Sequence, residues 1–466
     1  MKRLILLIGV SFCSLAIAVA QGHHTAEEDT VIIEARTIKD FFHSGVFGGH
    51  VRYYGMATMH ESEAIQSRYA NAIGARIDYR SAYFHGFQFG LTGLFTFDLL
   101  SSRLDNPEFA RGLYPKFELQ LFDINDPQNT YDMDRLDELY IHYHRSHTDI
   151  KAGRMAVESP LINTTDSRMK PYAFQGIWLD MRQIPKTTLR LGWLDHMSPR
   201  STVHWYKAGE SIGIYGMGRN ADGSPSQYAD QVQTKGVGVM GLEGKWLPNV
   251  HFQAWDYLIE NVSNTLMLQA ERKPKGKHAR GLTAGLQFVH QEQVGNGGNP
   301  LAKFKYFADD NLVRIWGGSI GYQWNHQHFS FNYLQSGDEG RFTFPNEWGR
   351  ENFFVTTARG RTEGLGNAKY VMFKYIVDPL PVLHAELHTG TLLAPDEKEF
   401  QWNKYGNVSH DHVVLDVNYH PAKQWEGLSV RLLYVYKHAH DRQLEPRSLF
   451  YNADFHHFNL ITNIVF

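Results

Sequence analysis

The chain of 466 residues balances 46 Lys and Arg against 49 Asp and Glu, for a net charge of −3, and its mean hydropathy is −0.40. The charge balance decides nothing about partners, but the single cysteine, Cys13, lies in the N-terminal segment and excludes disulfides, a thiol nucleophile and a thiolate metal site from the rest. No later segment holds the roughly 18 to 20 consecutive apolar residues of a membrane helix, whereas 29 Phe, 24 Tyr, 10 Trp and 41 Gly suit a β-barrel with an apolar belt and a wet interior.

At the start of the chain, Lys2 and Arg3, the apolar run Leu4 to Val19 and the small residues Ala18-Val19-Ala20 read as a secretory signal peptide over residues 1–20. Phe12 in front of Cys13 argues against a lipoprotein signal. Residues 21–48 are expected to form an N-terminal periplasmic extension and residues 49–466 a transmembrane antiparallel β-barrel, with no Pro/Ser-rich linker dividing them.

Period-two segments bounded by turn residues number about eighteen. The first seven are Gly49 to His60, Tyr69 to Tyr83, Phe87 to Leu100, Asp137 to Arg145, Thr148 to Val157, Ala173 to Ile184 and Thr187 to Ser198. Gly236 to Trp246, Val250 to Glu260, Val262 to Lys273, His278 to Gln291, Val313 to Asn325 and His328 to Ser336 follow. The last are Tyr370 to Asp378, Val382 to Leu393, His410 to His420, Gly427 to His440 and Asn452 to Phe466. If the segments flanking Asn261 are one bent strand, the count falls to about sixteen. From the second segment onward every other connection is short, as in Ser146-His147, Pro185-Lys186 and His326-Gln327, while most of the alternate ones, such as Ser101 to Leu136 and Pro199 to Lys235, are long. That beat belongs to an up-and-down barrel with short periplasmic turns and long extracellular loops. In the final strand Phe458, Leu460, Thr462, Ile464 and Phe466 alternate with Asn459, Ile461, Asn463 and Val465, so the chain ends on a strand whose waiting partner is the first one.

Charges within the strands share one parity, because Arg or Lys facing hydrocarbon at mid-membrane costs roughly 2 to 4 kcal/mol. Arg52, Arg76, Arg80, Lys151, Arg182, Arg190, Lys374, Arg431 and Lys437 fall on lumen positions spread around the wall. Collectively they would make a basic track that holds carboxylates bidentately and releases them. Singly, each would only solvate the lumen and pair with Asp78, Asp98, Asp180, Glu386 or Asp416.

Gly153 to Pro171 is too long for a hairpin and carries apolar residues that a solvated loop does not need, so a loop near residues 155–172 is expected to fold inward and narrow the lumen. It would present Arg154, Arg168 and Lys170 beside Glu158, Asn163, Asp166 and Ser167. Here Ser167-Arg168-Met169-Lys170-Pro171, followed by Gly176-Ile177, resembles the Ser-Arg-apolar-x-Pro stretch and strand-opening Gly of the OprD family of outer-membrane porins. Val51-Arg52-Tyr53-Tyr54 is similar to that family's early apolar-Arg-x-Tyr pattern. The resemblance implies a monomeric channel of about eighteen strands in the outer membrane of a Gram-negative bacterium. It also implies passive uptake of small carboxylate-bearing nutrients, such as amino acids, peptides or organic acids, past a constriction formed by the third external loop. Tyr53 directly after Arg52 and Lys170 inside the loop motif depart from the family pattern and leave the solute and its charge open.

No catalytic set, cofactor or metal is expected. His23-His24 with Glu27, Glu28 and Asp29, and His438 and His440 with Asp441, lack a recognised ligand framework, and Asp126, Asp132, Asp134, Asp137 and Glu138 lack the spacing of an EF-hand. Two other classes stand as alternatives. One is an outer-membrane barrel enzyme acting on lipids, which needs an adjacent outward Ser and His with a third orienting group that the strands do not offer. The other is an exporter of an acidic polysaccharide, which would share the basic lumen.

Overall fold

Alternating side chains make strands, and a strand in lipid must have a hydrogen-bonded neighbour on each edge. The computed structural model describes residues 34–109, 112–129, 131, 133–165, 168–276, 279–421, 425–441 and 443–466. The signal segment, the first part of the N-terminal extension, and Asp166 and Ser167 lie outside the described residues.

The strands are β1 (Val46–His60), β2 (Arg68–Arg80), β3 (Phe87–Asp98), β4 (Arg135–Arg145), β5 (Thr148–Met155), β6 (Ala173–Met181), β7 (Thr187–Ser198), β8 (Tyr206–Lys207), β9 (Val237–Gly244) and β10 (Val250–Ile259). They continue as β11 (Ser263–Arg272), β12 (Arg280–Gln293), β13 (Val313–Trp324), β14 (Gln327–Ser336), β15 (Lys369–Leu380), β16 (Leu383–Leu393), β17 (His410–Tyr419), β18 (Leu428–Ala439) and β19 (Phe455–Val465). All belong to one antiparallel sheet of 19 strands. The two-residue β8 only caps the upper end of β7, through His196 with Lys207 and Met197 with Tyr206. The remaining 18 close into a barrel, β7 pairing directly with β9 and β19 with β1.

Closure is in register from His50 opposite Val465 to His60 opposite Phe455. It extends to the last residue, where Gly49 and Phe466 exchange two backbone hydrogen bonds of 3.0 Å. A Cβ on Gly49 would stand 2.2 Å from the carbonyl oxygen of Arg76, so only glycine allows β2 and β19 to approach β1 together here. At Asn261 the chain turns sharply with φ of 61°, and Ile259 faces Ser263 across a tight outer turn. The flanking segments are therefore two strands, and the smaller count is excluded. Asparagine tolerates that left-handed conformation.

Outward positions are apolar, with Leu286 and Ile320 exposed by 71% and 60%. At the periplasmic ends of the strands, Phe47 meets Tyr79, Trp246 meets Phe252 and Phe329 meets Tyr375 at ring-centroid distances of 4.7, 5.6 and 4.5 Å. These pairs form an aromatic belt at the lipid–water boundary. Below them the N-terminal extension ends in a short helix, α1 (Ile38–His43), whose N-cap Thr37 accepts the Asp40 amide. The helix docks on the β2–β3 turn, the Phe41 carbonyl accepting from Ala82 and the Phe42 carbonyl from Tyr79.

The upper lumen is packed with loops rather than uniformly wet. Residues 156–172 (third loop) and 337–368 (seventh loop) bury Ile162, Tyr172, Phe342 and Trp348 against the wall residues Trp255, Tyr257 and Met267. Residues 99–134 (second loop) bury Leu119, Leu121 and Phe122 on Tyr54, Met56, Ala70 and Met169.

Leu432 stands half-exposed near the middle of β18. Leu432→Arg is expected to lower the unfolding free energy of the barrel in lipid by roughly 2 to 4 kcal/mol, measured by reversible urea titration in liposomes. A loss under about 0.5 kcal/mol would deny that this face meets hydrocarbon.

Candidate functional site

The third loop turns inward because its apolar residues need cover and its backbone finds partners there. Val157, Leu161, Ile162, Met169 and Tyr172 are all buried. The Ser159 hydroxyl accepts from the Ile162 amide and donates to the Ile162 carbonyl, making a tight turn, and Tyr257 of β10 receives the Leu161 amide at 3.3 Å. Asn163 then ties the loop to its neighbour. Its Nδ2 donates to the carbonyl oxygens of Ser159 (3.1 Å) and Arg350 (2.8 Å), while its Oδ1 accepts from the Arg350 amide at 3.2 Å. The seventh loop is held in turn by the fourth, residues 199–236, which contains the short helix α3 (Ala208–Ser211). Trp348 Nε1 donates to Ser211 Oγ at 2.8 Å, and the buried Glu347 carboxylate accepts the amides of Gly213 and Tyr215.

This scaffold gathers arginines from three loops. Arg168 of the third loop and Arg200 of the fourth both reach Gln120 Oε1, at 2.8 and 3.5 Å, and Arg200 lies over the Tyr172 ring at 5.1 Å. From the seventh loop, Arg361 bonds Asn346 (2.6 Å) and Tyr172 (3.1 Å) and pairs with Glu351 at 3.3 Å. Arg359 donates to Asn459 at 2.9 Å and His457 at 2.8 Å on β19. The fifth, Arg350, feels the charges of Arg361, Arg200 and Arg359 and the opposing one of Glu351, and burial together with Arg361 brings its pKa down to about 10, still cationic at neutral pH. Among the described residues its guanidinium, a fork of five N–H donors, has no hydrogen-bond partner.

The third-loop residues expected from the sequence divide. Arg168 and Lys170 are fully buried under the second loop, Lys170 Nζ donating to the Phe122 carbonyl at 3.4 Å. Burial, and then Arg135, push Lys170 down to about 7. Neither cation stands in the open lumen; they anchor the second loop to the third. Asn163 is likewise a clip, and Glu158 accepts from the Thr164 amide and hydroxyl within its own loop. Arg154 is misplaced by the sequence reading. It shares the outward parity of the exposed Ala152 and Ile177 pair, contacts Gln175 at 3.4 Å, and stacks on Trp205 at 4.6 Å outside the barrel.

The basic wall also divides. Arg76 pairs with Asp78 (2.8 Å) and Glu138 (3.4 Å), Arg182 with Asp149 (2.7 Å), Arg190 with Asp180 (3.3 Å) and Glu243, and Arg431 with Asp416 (2.8 Å). Those charges are neutralised in place. Arg52 instead donates to Asn463 (2.7 Å) and to the Arg168 carbonyl (2.8 Å), so it cradles the third loop. Lys151 lies over the Tyr140 ring at 5.2 Å, and Arg80 is exposed at the periplasmic end of β2. Lys374 donates to the Thr356 carbonyl of the seventh loop at 2.9 Å. Lys374 and Lys437 have no carboxylate partner among the described residues. Arg200, Arg350, Arg359 and Arg361 were not found from the sequence. The available signal was aromatic content, since a loop with Phe342, Phe344, Trp348, Phe353 and Phe354 is too apolar to stand in water.

A family model described as outer membrane porin, OprD family, matches residues 39–369. No curated protein matches the sequence. Among solved structures, Pseudomonas aeruginosa OpdK crystallised with vanillate shares 15% identity at a TM-score of 0.70, covering 91% of this chain and 99% of its own. P. aeruginosa OccK9 (OpdG) shares 16% at 0.71, covering 91% and 99%, and Acinetobacter baumannii OccAB4 shares 14% at 0.69, covering 91% and 98%. At these identities the likeness is one of fold.

The second loop carries a pH-sensitive contact. Its helix α2 (Lys116–Leu119) buries Glu118, which accepts from Thr58 of β1. Burial raises its pKa from 4.5 to about 7, against the smaller opposing effect of Thr58. A carboxyl raised on folding favours docking fully below its unfolded pKa, and that contribution is lost as pH climbs through about 7. Amide hydrogen exchange over residues 116–122, corrected for intrinsic rate, should therefore quicken between about pH 5 and pH 8. Glu118→Gln should flatten that dependence; an unchanged profile in the variant would place the titration elsewhere.

Proposed function

The chain belongs to the OprD family of outer-membrane porins, channels of the Gram-negative outer membrane that pass small solutes, and from that premise we propose that it admits carboxylate-bearing nutrients, working as a monomer. The observation that carries the reading is the Arg350 guanidinium, without a hydrogen-bond partner among the described residues and clustered with Arg200, Arg359 and Arg361. A planar fork of N–H donors matches a carboxylate bidentately, and a cluster of like charges in a narrowed lumen favours anions over cations.

The wall is charged unevenly around its circumference. Between β2 and β9, Arg76, Arg182 and Arg190 are each matched by Asp or Glu and so neutralised in place. Lys374 and Lys437, on β15 and β18, have no carboxylate partner among the described residues and extend the positive potential of the loop cluster onto the wall beside it. A carboxylate leaving Arg350 thus meets single cations and no trap, which suits passage more than tight binding. OpdK, a barrel of the same fold, was crystallised with vanillate, an aromatic carboxylate, and the reading is consistent with a solute of that kind here.

The test is conduction. In planar bilayers the purified channel should be anion-selective, and liposomes should swell faster in benzoate or an amino acid than in a neutral sugar of equal size. Arg350→Ala, checked for native fold by its heat-modifiable gel mobility, should lower carboxylate permeation by about ten-fold, the value of one charge-assisted contact. Sugar permeation should hold. Cation selectivity, or equal swelling in sugar and carboxylate for the unaltered channel, would overturn the proposal.

A further inference from the structure

Away from the lumen, at the outer rim of the seam where β19 meets β1, three side chains turn their ligating atoms toward one another and a fourth lies beside them. His438 Nδ1 lies 3.3 Å from Asp454 Oδ1 and 4.0 Å from Glu61 Oε2, and one ligand atom from each of these three falls within 4.8 Å of the others. His456 Nε2 comes within 3.8 Å of Glu61 Oε1. We propose that Glu61, His438, Asp454 and His456 form a site for a divalent transition-metal cation, of which Zn2+ is the natural probe.

Geometry supports this. Tetrahedral Zn2+ with bonds of about 2.0 to 2.1 Å holds its donor atoms about 3.3 Å apart. The His438–Asp454 and His438–Glu61 spacings of 3.3 and 4.0 Å are close to that, and a turn of the His456 side chain, 3.8 Å from the other Glu61 oxygen, would supply the fourth donor. The surroundings orient the ligands as metal sites require. Tyr434 OH bonds the far nitrogen of His456, Nδ1, at 2.8 Å, fixing its ring and tautomer. Tyr436 OH donates to Glu61 Oε1 at 2.9 Å, leaving Oε2 toward His438, and the Ala439 amide donates to Asp454 at 2.8 Å. Tyr436 also stacks on His456, at a centroid distance of 4.6 Å and an interplanar angle of 15°.

Charge supports it too. Among the described residues no Lys or Arg pairs with Glu61 or Asp454; their ion-pair partners are histidines only. Two carboxylates and two neutral imidazoles around a dication sum to zero. The mix of nitrogen and oxygen donors selects Zn2+ and its neighbours over Ca2+ and Mg2+, which take oxygen ligands. Glu61 follows β1 and the other three belong to the β18–β19 hairpin. A bound ion would therefore clasp the barrel's closing seam from outside.

The experiment uses the full barrel in detergent, stripped with a chelator and titrated with Zn2+ against a chromophoric competitor. The unaltered protein should bind one more Zn2+ than His438→Ala or Glu61→Gln, or bind it at least about ten-fold more tightly, and Zn2+ should raise its Tm but not theirs. Co2+ should give the visible absorption of a four-coordinate ion, weakened in His456→Ala, and millimolar Ca2+ should not displace it. Both first variants remove surface groups, and heat-modifiable mobility verifies their fold. Equal stoichiometry and affinity in protein and variants, or displacement by Ca2+, would overturn the proposal.

Discussion

A strand edge in hydrocarbon leaves N–H and C=O groups with no partner, at several kcal/mol each, so the β1–β19 seam is the contact on which every other feature of this barrel rests. It is carried to the last available residue, Phe466, whose backbone meets Gly49 at 3.0 Å. Once the sheet is closed, each strand has one face for lipid and one for the interior, and the sorting of side chains follows. Val51 and Leu432 face outward because hydrocarbon accepts them; Arg52 and Lys437 face inward because it does not.

Closing 18 strands leaves a lumen wide enough to be filled, and the loops fill it. Their packing brings cations together against their mutual repulsion, which is offset by specific partners. Gln120 receives both Arg168 and Arg200; Glu351, Asn346 and Tyr172 receive Arg361; Asn459 and His457 receive Arg359. Arg350 is the exception: Asn163 holds it through its backbone, and its guanidinium has no hydrogen-bond partner among the described residues. Structure and transport are thus divided among residues of the same type. Arg168 and Arg52 hold loops together, and Arg350 faces the solute in the proposed mechanism.

The wall was legible residue by residue. Each strand of the barrel corresponds to an alternating segment, and even the join at Asn261 shows an asparagine where the chain takes a left-handed turn. Parity also fixes the side on which Arg154 stands. Lys151 and Arg154 are an odd number of residues apart, so if one faces the lumen the other faces out, which is where Arg154 stacks on Trp205. Loops have no period. Nothing in the spacing of Arg350, Arg359 and Arg361 tells which will be paired, and nothing in that of Glu61 and His438 tells that they meet.

By itself, then, the sequence determined the barrel, its closure and the face of each strand residue, because lipid and water act on each side chain locally and repeat every second position. Tertiary structure decided which cations are paired, since that depends on how each loop folds back on itself and on its neighbours. Asp78 silences Arg76 two positions away, but only folding puts Glu351 on Arg361 and Gln120 on Arg168. Charge balance in the lumen is a sum over contacts within and between loops and strands, and such a sum is written in space rather than along the chain.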